Sequence, residues 1–267
     1  MDYVLIVNKN MPKQTDAGLF NKIISLKSFR PSKETNQVFS KLVSYTLNPK
    51  NSISITKTQI NKLQKMCSES EYELEKYWAN KIINADDPKD ALSQFPYYSN
   101  YTKLTQLEWH TLLSCSHHNN HNVVFAGGGP LPLTAIVMVK NYVKKVTVLE
   151  VDKTAYNLSL QLVKKLGLSK KVTIVNTDAA SFKDYSKFNV IVVAALAGVN
   201  KNAKIGIFHK IKKESSPESH ILARSSSGLR EMLYRPIDKS FYKMFKPVVE
   251  VHPQNDVVNS VIVFSNA

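Results

Sequence analysis

Short runs of apolar, β-branched residues alternate with helical patterns over the second half of the chain, and this alternation restricts the fold more than any other feature. The runs lie at 122–125, 146–151, 171–178, 189–196 and 220–225, and helical patterns follow several of them, at 133–142, 154–166 and 201–212. Near-continuous apolar strands joined through helices are typical of a parallel sheet covered on both faces. Two further runs, at 248–253 and 257–264, flank a short polar turn and predict a terminal hairpin.

The region before residue 113 has a helical periodicity instead. Its clearest helix begins at a polar cap near Thr56, and one side of it carries Ile60, Leu63, Cys67, Leu74, Trp78 and Ile82. We therefore predict an α/β protein with a helical N-terminal domain at 1–112 and a Rossmann-like domain at 113–267. The functional site is expected between the two.

The composition is that of a globular protein, and it limits the classes of partner. Hydrophobic residues make up 43% of the chain, charged residues 21%, and the formal net charge is +15. The lysines occur in scattered pairs without a long basic run, so we interpret most of the excess charge as a solvated face, with an acidic small-molecule substrate as a secondary contributor and no expectation of nucleic acid. No apolar run approaches the roughly 18 residues of a membrane span, and no signal-peptide pattern opens the chain. Two cysteines cannot build a disulfide framework, so a cytoplasmic protein is expected.

A glycine cluster directly after the first predicted strand indicates a ligand site. Gly127, Gly128 and Gly129 stand between a strand and a helix, where glycine permits a tight turn and a close approach of the backbone to a ligand. Glu150 ends the second strand and Asp178 the third, which provides one carboxylate for ribose hydroxyls and another for an adenine edge. The alternative is that these carboxylates only cap the helices that follow them.

The spacing of the glycines distinguishes two nucleotide ligands. A dinucleotide pyrophosphate favours Gly-x-Gly-x-x-Gly, whereas Pro130, Leu131 and Pro132 follow the third glycine here. We therefore predict S-adenosylmethionine (SAM) rather than NAD, in a SAM-binding domain of the class I methyltransferase type. The predicted SAM-binding residues are Gly127, Gly128, Gly129, Pro130, Glu150, Asp152, Asp178 and Ala179.

Carboxylates lie on the otherwise apolar face of the long N-terminal helix. Glu71 and Glu75 are four residues apart and share this face with Cys67 and Trp78. Buried carboxyl groups have raised pKa values suited to proton transfer, although a solvated rim of glutamates is the alternative. A stretch dense in tyrosine, FPYYSNY at 95–101, follows and offers hydroxyls that can orient an amine or carboxylate.

The sequence resembles the nicotianamine synthases in several blocks that occur in the order of that family. The blocks are CSESEYELEKYW at 67–78, FPYYSNY at 95–101, GGGPLPLT at 127–134, VVAALAG at 192–198, RSSSGLREMLY at 224–234 and HPQNDVVNSVIV at 252–263. GGGPLPLT and the closing block are the most specific. The first 50 or so residues carry no such block.

The resemblance implies transfer of 3-amino-3-carboxypropyl (aminobutanoate) groups from SAM to an amine, with release of methylthioadenosine, to make nicotianamine or a similar metal chelator. The attacking α-amine is protonated at neutral pH, so the transfer needs a general base. By alignment with the family, Glu75 is this base, Tyr101 is its partner and Glu71 is a second candidate. We place Tyr97, Arg224 and Tyr234 at the substrate, a surface ion pair being the alternative for Arg224.

Several alternatives stay open at this point. One is a single transfer to an acceptor amino acid, as in opine metallophore synthesis, and another is a methyltransferase, which would release S-adenosylhomocysteine. A nucleic-acid-binding protein with a vestigial cofactor fold is a third, suggested by the charge. The sequence leaves open the number of transfers, the first acceptor and whether the chain forms a homodimer. We expect no metal, and His117, His118 and His121 are interpreted as part of a surface loop.

Overall fold

The N-terminal part of the molecule is helical. The computed structural model describes residues 15–266 apart from residues 117, 119 and 199. Its first helices are α1 (Asp16–Ile24), α2 (Lys33–Leu47), α3 (Lys57–Ile83), α4 (Pro88–Ser93) and α5 (Tyr98–Leu113). The cap predicted at Thr56 is confirmed, because its side chain accepts from the backbone N–H of Gln59 while the Gln59 side chain binds the backbone of Thr56. Cys67, Trp78 and Ile82 are buried on α3, as the periodicity predicted.

A sheet of seven strands forms the second part of the molecule. Its strands are β1 (Val123–Ala126), β2 (Val146–Glu150), β3 (Val172–Asn176), β4 (Val190–Val193), β5 (His220–Ser225), β6 (Lys246–Val251) and β7 (Ser260–Ser265). They lie in the order β3-β2-β1-β4-β5-β7-β6. Strands β1 to β5 are parallel, and β7 runs antiparallel to both β5 and β6. The strand order reverses at β1, and ligands of open α/β sheets bind outside the carboxyl ends of the strands at such a point.

Three helices cover the sheet where the sequence predicted them, namely α6 (Leu133–Asn141) after β1, α7 (Lys153–Lys165) after β2 and α8 (Lys201–Glu214) after β4. The short α9 (Phe241–Met244) before β6 was not predicted. No helix in the described part of the chain is both long and apolar enough to cross a membrane.

The connection between the last two strands is longer than predicted. The short polar turn expected near residue 255 is instead a loop over 252–259, and pairing of β7 begins only at Ser260. The loop is held by groups outside the hairpin: Asn100 donates to the carbonyl of Asp256 at 2.6 Å, and Lys103 lies 2.7 Å from the Asp256 carboxylate. Both contacts fix Asp256 to α5.

Three buried apolar clusters join the helical part to the sheet. The first surrounds the sheet and includes Trp109 and Leu112 of α5. The second combines α1, α2 and the start of α3 with Met232, Leu233 and Val258. The third packs Trp78, Ala79 and Ile82 of α3 against residues of α6 and α7, namely Leu133, Ile136, Val137 and Leu162. Every cluster contains residues from both sides of residue 112, and the division into domains at 1–112 and 113–267 stays a prediction.

Candidate active site

The turn after β1 lies at the carboxyl edge of the sheet and requires its glycines. Gly127 and Gly129 have φ angles of +90° and +65°, in the region that residues with a Cβ rarely adopt. A Cβ on Gly128 would collide with Val148 of the neighbouring strand, and a Cβ on Gly129 with the carboxyl group of Glu75. The Glu75 side chain of α3 therefore lies directly against this turn.

Glu150 binds the backbone of the glycine turn through its carboxylate. Its Oε2 accepts from the backbone N–H of Gly129 at 2.7 Å, and its Oε1 accepts from the backbone N–H of Asp152 at 2.8 Å. Burial raises the pKa of Glu150, while these two donors act against the rise. Each carboxylate oxygen retains a second lone pair, so the group can accept a further hydrogen bond from a ligand.

The other predicted residues at this edge have different local roles. Asp152 caps α7 by accepting from Ala155 N at 2.7 Å, and the same oxygen accepts from the Tyr72 hydroxyl at 2.9 Å. Asp178 is exposed and accepts from Ala180 N at 2.9 Å, while Ala179 beside it is buried. Helix capping thus applies to Asp152, whereas Glu150 binds the turn itself.

Glu71, Glu75, Tyr101 and Tyr234 meet in a group that we call the carboxylate–phenol cluster, in which Glu75 is buried and the other three are half-buried. The Tyr101 hydroxyl lies 3.1 Å from Glu71 Oε1 and 3.1 Å from Glu75 Oε1. The Tyr234 hydroxyl donates to Glu71 Oε2 at 2.7 Å. Three segments bring these side chains together: one turn of α3, the first turn of α5 and the segment after β5. The solvated rim of glutamates is therefore excluded for Glu75, which is 8% exposed.

The cluster is electrostatically arranged to hold a proton. Burial raises the pKa of Glu71, opposed by the hydrogen bonds from Tyr234 and Tyr101 and by the charge of Arg224. Burial and the negative charge of Glu71 raise the pKa of Glu75 well above its ordinary value. The pKa of Tyr101 is also raised well above its usual range, by burial and by the two carboxylates. A carboxyl group whose pKa is raised in this way holds a proton more readily than an ordinary glutamate, which suits it to proton transfer.

Arg224 forms a buried ion pair with Glu108 of α5. Its Nε lies 2.6 Å from Glu108 Oε1, and its Nη2 lies 3.1 Å from Glu108 Oε2 and 2.7 Å from Thr134 Oγ1. Both side chains are almost completely buried, so the alternative of a surface ion pair is wrong. The bidentate contact predicted with a substrate carboxylate is made here with Glu108, and a substrate contact by Arg224 stays a prediction. Its guanidinium carbon lies 6.0 Å from the centre of the Tyr101 ring.

Tyr97 lies close to the same cluster, at the start of α5. Burial raises its pKa, and the charge of Glu71 adds to the rise, while a hydrogen bond with Ser40 acts against it. Its ring centroid is 6.0 Å from that of Phe95. Tyr97 and Tyr234 thus both lie near Glu71, and their contact with a substrate stays a prediction.

Sequence analysis missed four residues that shape this region: Tyr72, Glu108, Thr134 and Lys204. Glu108 had a detectable signal, because it lies seven residues after Tyr101 and hence two turns along the same face of α5. Tyr72 follows the first predicted glutamate directly and faces Asp152 instead. Lys204 donates from Nζ to the carbonyl of Ala195 at 2.6 Å, in the loop after β4.

Two surface grooves run along the outer side of α3. The first, of about 530 Å³, is lined by Ser28, Phe29, Arg30, Ser68, Glu69, Tyr72 and Glu73. The second, of about 650 Å³, adjoins it and shares Arg30 and Glu73. The first groove borders the carboxyl edge of the sheet, because it includes Tyr72. In the part of the chain that the structure describes, no group of His, Cys, Asp and Glu is placed to hold a metal ion; His117 lies outside the described residues.

Comparisons with known proteins agree on one family. The model for nicotianamine synthase protein matches residues 9–267. Nicotianamine synthase 2 of Arabidopsis thaliana is 34% identical over 257 residues, which cover 92% of this chain and 80% of that protein. The nicotianamine synthase of Solanum lycopersicum is 30% identical over 269 residues, covering 96% of this chain and 84% of that protein.

A solved structure has the same fold. The crystal structure of MtNAS in complex with MTA and tNA matches with a TM-score of 0.81 at 23% identity, covering 92% of this chain and 95% of that one. A mutant of MtNAS in complex with S-adenosylmethionine matches with a TM-score of 0.80. The predicted Rossmann-like fold of the class I methyltransferase type, with its helical N-terminal part, is confirmed.

Proposed function

The chain belongs to the nicotianamine synthase family, and from this premise we propose that it transfers the 3-amino-3-carboxypropyl group of SAM to an amine and releases methylthioadenosine. The observation that carries the proposal is the carboxylate–phenol cluster, whose Glu75 lies directly against the glycine turn. We propose nicotianamine, a metal chelator, as the product, and the cytoplasm as the place of synthesis. SAM is a substrate in this reaction, and no metal takes part.

The proposed SAM site lies at the carboxyl edge of β1 and β2. The turn at 127–130 permits a ligand to approach the backbone closely, because its glycines leave no side chain in the way. Glu150 is suited to the ribose hydroxyls, since its two oxygens are already oriented by Gly129 and Asp152. Asp152, Asp178 and Ala179 complete the proposed binding edge on the side of β3.

The proposed reaction is a nucleophilic substitution at the γ-carbon of the methionyl part of SAM. The amine nitrogen forms the new bond to this carbon while the carbon–sulfur bond breaks, and the sulfur keeps the electron pair as methylthioadenosine leaves. Glu75 accepts the proton that the amine must lose, and Tyr101 holds the amine in line. Because the sulfonium is already activated, the main task of Tyr97, Tyr101 and Tyr234 is to present the amine to the γ-carbon rather than to the methyl carbon.

Product analysis tests this proposal. Purified protein is incubated with SAM alone and with added amino acids, and the products are identified by mass spectrometry. We expect methylthioadenosine together with nicotianamine. A smaller product that depends on an added amino acid would indicate a single transfer, and release of S-adenosylhomocysteine would overturn the proposal in favour of a methyltransferase.

The Glu75→Gln variant tests the role of the base. The amide keeps the shape of the side chain but cannot accept a proton, so we expect kcat to fall by about 100-fold or more, with the Kd for SAM nearly unchanged in calorimetry. Glu69→Gln is the matched control, because Glu69 lies on the same helix and faces solvent beside Lys65. Near-normal turnover in Glu75→Gln would remove Glu75 from the catalytic role.

A further inference from the structure

The Tyr101 hydroxyl lies between two carboxyl groups but has one hydrogen to donate. Its oxygen is at hydrogen-bond distance from both Glu71 and Glu75, at 3.1 Å in each case. It therefore donates to one carboxyl group and accepts from the other, which must carry a proton. With both carboxylates ionised, one of these contacts would join two acceptors in a buried place, which is unfavourable.

The surroundings decide which carboxyl group carries the proton. Each carboxyl group has a donor besides Tyr101: the Tyr234 hydroxyl donates to Glu71 Oε2 at 2.7 Å, and the backbone of Leu131 donates to Glu75. The charges around the two groups therefore make the difference. The positive charge of Arg224 favours an ionised Glu71, whereas the negative charges of Glu71 and Glu150 disfavour an ionised Glu75. The proton consequently rests on Glu75, which donates to Tyr101, and Tyr101 donates to Glu71.

We propose that Glu75, Tyr101 and Glu71 form a proton relay in which Glu71 makes Glu75 available as the base. The proton of the Glu75 carboxyl group passes to the Tyr101 oxygen while the hydroxyl hydrogen of Tyr101 passes to Glu71. Two O–H bonds break and two form, the total charge is unchanged, and no other reactant is needed. Glu71 acts through Tyr101 and is therefore a positioning residue, and this inference rests on the proposed transfer reaction.

The relay also accounts for the proton released in each transfer. Glu75, ionised by the relay, accepts the proton of the attacking amine, so that both carboxyl groups are then protonated. One proton must pass to water before another transfer, which returns the cluster to its starting state. Glu71 can release it because its anion is the better stabilised of the two, by Tyr234 and Arg224.

Several titratable groups face the relay from the elements packed around it. They are Cys67 on α3, Tyr97 on α5, Glu150 at the end of β2, Arg224 on β5 with its partner Glu108, and Tyr234 after β5. Burial raises the pKa of the Cys67 thiol, and burial with the charge of Glu71 raises that of Tyr234, so both stay neutral near pH 7. The relay therefore titrates as a pair of carboxyl groups among neutral neighbours, with the Arg224–Glu108 ion pair and the Glu150 carboxyl group nearby.

The pH profile of the Glu71→Gln variant tests the relay, because two mechanisms predict opposite shifts. In the relay, the active cluster holds one proton. The acid limb of the pH profile, where kcat falls as the pH is lowered, then reports the first of two ionisations of the Glu71–Glu75 pair. Glu71 provides the easier ionisation, so Glu71→Gln should move the acid limb to higher pH. If Glu75 acted alone beside a permanently ionised Glu71, the variant would remove a repelling charge, and the limb would move to lower pH.

The expected rates follow from the same scheme. At pH 7, kcat of Glu71→Gln should fall by about tenfold or more and recover in part at higher pH, with KM for SAM changed by less than about twofold. In a Tyr101→Phe background, where the relay is already broken, adding Glu71→Gln should cause no further loss of kcat. The relay would be overturned if the fold-decreases in kcat of the two single variants multiplied in the double variant. It would also be overturned if the acid limb of Glu71→Gln moved to lower pH.

Two controls separate the relay from folding and from the proposed reaction. Glu69→Gln should keep the wild-type pH profile, and calorimetric binding of SAM shows whether each variant is folded. Tyr234→Phe removes the second donor of Glu71 and should move the acid limb in the same direction as Glu71→Gln. If the wild-type protein releases methylthioadenosine and nicotianamine but the acid limb of Glu71→Gln lies at lower pH than that of the wild type, the relay fails and the proposed function stands.

Discussion

Lys204 carries a charged amine in a nearly water-free position beneath the loop that follows β4. The residue is 7% exposed, and its Nζ lies 2.6 Å from the carbonyl of Ala195 and 3.5 Å from that of Ala194. Ala194 and Ala197 pack against Gly127, so the amine supports the loop opposite the glycine turn. Burial and the charge of Arg235 lower the pKa of Lys204 to about 8.

This shifted pKa predicts a pH dependence of stability. Between pH 8 and 10.5 the unfolded chain binds more protons at Lys204 than the folded protein, so the stability contributed by this group rises with pH over that window. We expect the free energy of unfolding of the wild type, minus that of Lys204→Met, to increase with pH by at most about 1.4 kcal/mol per pH unit within the window. Urea unfolding of both proteins at its two ends measures this change.

Lys213→Met is the matched control for Lys204→Met. Lys213 lies on the same helix α8 but is exposed. Its variant should keep a constant difference from the wild type over the same pH range. A difference between the wild type and Lys204→Met that does not vary with pH would show that the buried amine titrates normally.

Among the elements, α3 shows which parts of the site could be predicted. Its buried face follows from apolar spacing within one helix, so the places of Glu75, Trp78 and the Thr56 cap were predictable. The partners of that face were not, because they depend on how distant elements pack: Tyr234 is 163 residues from Glu71, and Arg224 is 116 residues from Glu108. The resemblance to a family supplied roles for single residues, whereas the hydrogen bonds between them required the structure.

The connection between α1 and α3 depends on one buried carboxylate. Asp16, the first residue of α1, is 1% exposed and accepts from the backbone N–H of Ser54, from the Ser54 hydroxyl and from Ile55 N. Burial by itself would raise the pKa of Asp16, but the hydrogen bonds from Ser54 and Ile55 outweigh it and lower the pKa. The segment that leads into α3 is therefore fixed to α1 in the ionised state of Asp16.

We expect Asp16→Ala to lower the free energy of unfolding by about 3 kcal/mol, because it leaves charge-assisted donors unpaired in a buried place. Since the folded pKa of Asp16 is lowered, its contribution is fully present above the ordinary value of 3.8 and is lost as the pH falls through the folded pKa. Urea unfolding at neutral and acid pH checks both statements. Asp184→Ala, at an exposed ion pair with Lys187, should cost less than about 1 kcal/mol; an equal loss in both variants would contradict a special role for Asp16.

At the scale of the whole molecule, the helical part and the sheet share their apolar clusters. If α3 moved away, Leu133 and Ile136 of the third cluster would become exposed. If α1, α2 and the start of α3 moved away, Met232 and Val258 of the second cluster would become exposed. Exposure of this much apolar surface is unfavourable, so neither part is expected to unfold while the other stays folded. The carboxylate–phenol cluster lies at the same junction, and its geometry thus depends on the stability of the whole chain.

The two tryptophans of the chain allow this cooperativity to be measured. Trp78 lies in the third cluster, 5.8 Å from Phe95 between ring centroids, and Trp109 lies in the first cluster, stacked on Tyr142 at 5.5 Å. Trp109→Phe leaves Trp78 as a probe of the contact of α3 with α6 and α7, and Trp78→Phe leaves Trp109 as a probe of the contact of α5 with the sheet. Within each variant, we expect the urea midpoint from fluorescence to equal that from circular dichroism. SAM at 100 times its Kd should raise both midpoints together, because it adds about 2.7 kcal/mol to the free energy of unfolding. A Trp78 signal that changes before the circular dichroism would show instead that the helical part opens on its own, as separate domains at 1–112 and 113–267 would allow.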